Sequence, residues 1–184
     1  MAVVISLLRG VNVGGHNQVK MEALRALYQS LGLGNPTTHI QSGNVLFTTK
    51  EKNLQQLSKR IADAIGQSFG VRTEVILRTT AELQAIIAAN PFAGRADVPP
   101  NKLVVTFLAK DPGVEAHDNL RKLPPCPEEL HLVGRELYIY FPDGMGRSKL
   151  PITAIDKALK TPGTARNWNT VTKLLELAGK QAAL

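Results

Sequence analysis

T-T-H-I-Q-S-G-N-V-L-F-T-T, from Thr37 to Thr49, reads as two short strands, Thr37 to Gln41 and Val45 to Thr49, closed by Ser42-Gly43-Asn44, a composition suited to a tight hairpin turn. Helical patterns flank it. Upstream, Met21, Leu24, Leu27, Tyr28 and Leu31 recur at helical spacing and Gly32 ends the run; downstream, Leu54, Leu57, Ile61, Ile65 and Phe69 mark a second amphipathic helix. Farther out, residues 2 to 9 form an apolar, β-branched run that reads as a buried strand. Val71 to Arg78 read as another, with Val75 and Leu77 alternating against Glu74 and Arg78. The order strand, helix, strand, strand, helix, strand is the split βαβ, ferredoxin-like unit, in which two helices cover one face of a four-stranded antiparallel sheet.

The second half repeats this unit. L-V-V-T-F-L at Leu103 to Leu108 matches V-V-I-S-L-L at Val3 to Leu8, and H-L-V-G-R-E-L-Y-I-Y-F at His131 to Phe141 resembles H-I-Q-S-G-N-V-L-F at His39 to Phe47. The repeat departs at its end, where Thr164 to Asn169 and a helix from about Thr170 to Ala178 take the place of a fourth strand. Thr79 to Ala89 form a linking helix ended by Asn90-Pro91-Phe92, and Ala93 to Pro100 form a connector. The expected architecture is α+β: two ferredoxin-like subdomains with mainly antiparallel sheets, helices on one face and a C-terminal helix. Residues 1–78 form the first subdomain, 79–101 the link, and 102–184 the second subdomain.

Bulk properties narrow the function classes. At 184 residues and 43% apolar composition the chain can bury a real core, and no apolar run approaches the ~20 residues needed to span a bilayer. The N-terminus lacks a basic leader and a cleavage site, and it reads as a first strand. A lone cysteine, Cys126 between Pro125 and Pro127, can form no internal disulfide, so a cytoplasmic setting is expected. The net charge is +7, and residues 144 to 184 carry seven Lys/Arg against two Asp/Glu. A basic surface favours anionic partners, while solvated lysines with no partner explain the same numbers.

Three polar segments precede predicted helices: R-G-V-N-V-G-G-H-N (Arg9 to Asn17), G-M-G-R-S-K (Gly144 to Lys149, ahead of a helix begun by Pro151) and T-A-R-N-W-N-T (Thr164 to Thr170). The glycines of the first do not fit G-x-G-x-x-G, so the dinucleotide reading fails. Glycines still let backbone approach a ligand, and N–H groups at a helix start attract anions; the alternative is a glycine turn with Asn12 and Asn17 satisfying the backbone. Arg147 and Lys149 sit near a positive helix end, which suits a bound phosphate or carboxylate, or else an internal pair between Arg147 and Asp143. Trp168 anchors the last helix if buried and stacks a base if exposed beside Arg166, with burial the commoner outcome; Asn169 or Thr170 reads as that helix's cap. Signatures such as C-x-x-C, H-E-x-x-H, G-x-S-x-G and G-x-x-x-x-G-K-[ST] are absent, and His16, His39, His117 and His131 are scattered, so no metal and no cofactor is expected.

L-L-R-G-V-N-V-G-G, I-Q-S-G-N-V-L-F, Y-F-P-D-G-M-G-R-S-K-L and P-G-T-A-R-N-W-N-T-V-T-K-L, taken together and in this order, resemble the bacterial family catalogued as domain of unknown function 1697. The resemblance runs over essentially the whole chain and implies ferredoxin-like subdomains. It implies no catalytic residue, only positions.

The sequence therefore points to a binding protein for a phosphate-bearing or other anionic ligand, a nucleotide-like small molecule ahead of nucleic acid, since aromatic content is 5% and no aromatic pair marks the first strand. The candidate ligand residues are Arg9, Asn12, Gly14, Gly15, Gln41, Ser42, Gly43, Asn44, Arg147, Ser148, Lys149, Arg166, Asn167, Trp168 and Asn169. Two other readings stay open. An enzyme of transfer or hydrolysis chemistry would draw on Ser42, Ser148 or Asp143; a structural reading has the polar loops weld two subdomains by internal hydrogen bonds.

Overall fold

A computed structural model describes residues 1 to 183 of the chain. Its elements run β1 (Ala2–Leu8), α1 (Met21–Ser30), β2 (Gly34–His39), β3 (Asn44–Thr49), α2 (Leu54–Phe69), β4 (Val75–Thr79), α3 (Thr80–Ala88), β5 (Leu103–Leu108), α4 (Glu115–Arg121), β6 (Glu129–Val133), β7 (Glu136–Tyr140), α5 (Ile152–Leu159), β8 (Gly163–Asn167) and α6 (Trp168–Ala182). They build two four-stranded antiparallel sheets, ordered β2-β3-β1-β4 and β6-β7-β5-β8, so the α+β, twice ferredoxin-like architecture expected from the sequence is the one found. The chain divides into two compact units. One is Met1–Gln84 with the residues from Lys173 onward, the other Ala85–Thr172, and the division falls inside α3 and α6.

In the first unit the helical periodicity does what it implies. Leu24 and Tyr28 of α1 and Leu57, Ile61 and Ile65 of α2 close over Val4, Leu8, Val45, Phe47, Val75 and Leu77 from one face of the sheet. The Tyr28 ring meets Phe47 edge-on at 5.5 Å, and its hydroxyl shares a 2.8 Å hydrogen bond with Ser6. Burial pushes that phenol far above its usual pKa. Asn53 caps α2 by accepting from the Gln56 N–H at 3.0 Å, and left-handed Gly70 ends it. The opposite sheet face is buried too, at Val3, Ile5, Leu7, Leu46 and Ile76. Arg78, on the polar side of the expected alternation, lies on this face at 1% exposure and donates to its neighbour's carbonyl, Leu77 O, at 2.9 Å.

The second unit repeats the ladder and corrects the sequence reading. Gly163–Asn167 is a full fourth strand paired with β5, not a loop before a helix, and α6 starts at Trp168. Its polar side chains hid it, but membership is decided by backbone pairing, and its alternation is complete: Thr164 and Arg166 are buried while Ala165 is exposed. Arg166 opposite Val105 occupies the place that Arg78 holds opposite Ile5, and it also donates to the preceding carbonyl, Ala165 O, at 2.9 Å. The short α4, whose residues the sequence did not mark, stands where the repeated unit has its first helix; with α5 it covers Val104, Leu108, Leu137 and Ile139.

Close packing against Leu8 fixes Gly43 as glycine. Gly43 has φ 72°, and a Cβ there would lie 2.8 Å from Leu8 Cβ, whereas Gly15 at φ 79° meets nothing within 4 Å. Gly43→Ala is therefore expected to cost about 2–4 kcal/mol, strain plus clash, and Gly15→Ala only about 1–2 kcal/mol. Urea denaturation midpoints measure the difference; equal losses at both positions would contradict the packing described.

Candidate functional site

The loop leaving β1 is built from residues that tolerate left-handed backbone. Gly10, Asn12, Gly14, Gly15 and Asn17 all have positive φ. Val13 to His16 close a tight turn, with the His16 N–H on Val13 O at 3.0 Å and both central glycines left-handed. Asn17 Nδ2 donates to Gly10 O at 3.0 Å. Asn12 joins three segments: its Oδ1 accepts from the Val19 N–H at 2.8 Å, and its Nδ2 donates to Val19 O at 3.0 Å and to Gln41 O at 2.8 Å. Val11 and Val19, both buried, hold the loop's ends to the core.

This bond brings the loop against the hairpin turn, so three predicted residues, Asn12, Gly15 and Gln41, come together. They line a cavity of about 520 Å³ with Gln18, Val19 and Lys20, which the sequence reading did not single out. Lys20 also precedes α1, whose N-terminus has no side-chain cap. Lys20 thus shares the cleft with the glycine turn at the start of an uncapped helix, and Glu22 is the one acid in that helix's first turn. Lys20 was legible as the polar residue before the first periodic position, but it is a poor capping type and so drew no notice.

The rest of the hairpin turn is spent on its own geometry. Gly43 O accepts from the Leu8 N–H at 2.9 Å, and buried Asn44 donates to His39 O and Ser42 Oγ, both at 3.1 Å. Ile40 is left-handed at φ 50° and exposed, an unfavourable state for a β-branched residue, in the turn that carries Gln41. Gly14 is in the tight turn, and Arg9 is half-buried, with its N–H on Glu74 O at 3.0 Å.

In the second unit the candidates separate. Arg147 and Lys149 are exposed and, among the described residues, their side chains bond to no partner; the Arg147 pair with Asp143 does not form. Ser148 donates to Glu128 and accepts from the Leu150 N–H at 3.0 Å, a turn ahead of α5. Glu128 is buried, and its second carboxylate oxygen has no hydrogen-bond partner among the described residues. Arg166, 7% exposed, donates to Thr164 Oγ1 at 2.6 Å and to Ala165 O, and burial lowers its pKa to about 10. Asn167, not Asn169 or Thr170, is the cap of α6, accepting from the Asn169 N–H at 3.0 Å while its Nδ2 donates to Asn101 O. It lines a cavity of about 180 Å³ with Lys102, Val104, Phe141 and Met145, below the usual size of a nucleotide site. Trp168 is half-buried as the first residue of α6, and Asn169 is exposed.

Among the described residues no cluster of three metal-ligating side chains exists, and no helix is long and apolar enough to cross a membrane.

A model of the family described as a protein of unknown function, DUF1697, matches residues 1–138. That span includes the glycine loop and the hairpin turn and ends before Arg147 and Arg166. The solved structure of a conserved bacterial protein, SP0830 from Streptococcus pneumoniae, is similar over 96% of this chain and 98% of its own, with a TM-score of 0.69 and 22% identity, a likeness of fold. No curated protein matches the chain.

Cys126 is half-buried, and burial, reinforced by the Glu128 side chain, raises its thiol pKa. A raised pKa leaves less thiolate at neutral pH, so iodoacetamide should alkylate Cys126 more slowly than a free cysteine, with a midpoint shifted to higher pH. Fast alkylation at neutral pH would contradict that environment.

Proposed function

This chain belongs to the DUF1697 family of proteins of unknown function, and we propose that it binds a small phosphate-bearing anion in the cleft between the loop after β1 and the hairpin turn of the first unit. The observation that carries this reading is the cleft's lining. Asn12, Gly15, Gln18, Val19, Lys20 and Gln41 include a cation, amides and a glycine but no carboxylate, beside a helix start with no side-chain cap. A volume near 520 Å³ suits a nucleotide-sized ligand. No aromatic side chain lines it, which weighs against stacked single-stranded nucleic acid.

The cleft lining offers no serine, cysteine, histidine or carboxylate, and its one amine, Lys20, has no base beside it in the lining, so binding without turnover is the simpler reading. For Arg166 and Asn167 the structural reading is the better one, because each is engaged by hydrogen bonds within its own unit.

Calorimetric titration with adenosine monophosphate and with inorganic phosphate tests the proposal. Binding should weaken by about tenfold or more in Lys20→Glu, a reversal of charge at an exposed position, with the unfolding midpoint nearly unchanged. Equal affinity in the variant, or no heat with either probe at millimolar concentration, would overturn it.

A further inference from the structure

We infer that the second unit carries an independent binding site, a cavity beside β8 that takes a small aromatic carboxylate, one ring with its acid group. The cavity lies where the repeated fold departs from its first copy. Ala165 stands opposite Thr106 as Leu77 stands opposite Ser6, so the two residues hold equivalent places on the helix-covered face of the last strand. Leu77 is buried in the core with residues of the sixteen-residue α2, whereas α5 has eight residues and Ala165 is exposed. A smaller side chain and a shorter helix leave a hollow where the first unit is filled.

The hollow has a volume of about 180 Å³. Its apolar lining is Val104 and Phe141, both buried in the second core, with exposed Ala165 and Met145. A cavity of roughly 150 Å³ lined by aliphatic and aromatic side chains holds one benzene ring. The Met145 thioether is soft enough to adapt to a ring set against it.

Three polar residues complete the lining, and their engagement decides the rest of the ligand. Asn167 is used at both ends, its Oδ1 accepting from the Asn169 N–H at 3.0 Å and its Nδ2 donating to the backbone of the second, Asn101 O, at 3.1 Å. Lys102 is different. Its ammonium has three donors and, among the described residues, gives one, to Pro142 O. No carboxylate is among the lining residues, so the remaining donors and the charge are left for an anion. Arg147 and Asp143, on the loop that carries Met145, do not line the cavity, so Lys102 alone sets the sign of the ligand. One ammonium matches a single negative charge, and a carboxylate adds little bulk to a ring.

Titration of the isotope-labelled full chain with benzoate, followed by amide resonances, tests this. Saturable shifts are expected at Val104, Ala165 and Asn167 with a Kd of about 1 mM or below. Acetate, which lacks the ring, and benzylamine, which reverses the charge, should each bind at least about tenfold more weakly. Ala165→Leu, at an exposed strand position, fills the cavity and should abolish the shifts at Val104 and Asn167, with the unfolding midpoint unchanged or raised. Lys102→Met keeps an apolar stem and removes the charge; it should weaken benzoate about tenfold and leave benzyl alcohol as it was. No saturation at about 10 mM, benzylamine binding as tightly as benzoate, or benzoate affinity indifferent to either substitution would overturn the proposal.

Discussion

β1 and β5 are hydrogen-bonded along both edges and buried on both faces, and the other elements are arranged by that constraint. A strand so enclosed must be apolar nearly throughout, and it must leave its sheet without stranding backbone groups. The two strands solve the exit in the same way. The N–H of Leu8 goes to Gly43 O and that of Arg9 to Glu74 O; the N–H of Leu108 goes to Arg135 O and that of Ala109 to Pro162 O, all at 2.9 to 3.0 Å. The hairpin turn and the fourth strand therefore meet at the end of the first strand in both units, and the loop that follows β1 starts beside them.

Enclosure on both faces also explains the buried polar groups. Ser6 is tolerated because Tyr28 shares its hydrogen bond, and Arg78 and Arg166 are tolerated at matching places on the last strand because each folds back to donate to the carbonyl of the residue before it. A guanidinium with five donors can satisfy a crowded strand end where an apolar residue would leave carbonyls bare.

Most of the fold was legible because β1, β5, α1 and α2 each answer to one dominant signal, an apolar run or a helical period. What was not legible depends on partners distant in sequence. β8 reads as a polar loop until β5 supplies its ladder, Arg78 reads as solvated until the second sheet face is seen to be buried, and the seven residues of α4 are too few to show a period. At the candidate site, glycine and asparagine correctly marked unusual backbone, but composition did not show that Asn12 serves the loop itself, pinning it to Gln41 O, while Lys20 carries the charge. Arg147 and Arg166 look alike as basic residues in polar segments; one is in solvent and the other in the sheet.

The cleft beside α1 is the center of the functional account, and locating a phosphate on the folded chain tests it most directly. In a titration of the isotope-labelled protein with inorganic phosphate, followed by amide resonances, the account predicts saturable shifts at Gly15, Met21 and Glu22, where backbone N–H groups border Lys20. Shifts confined to Arg147 and Lys149, or none that saturate, would contradict it.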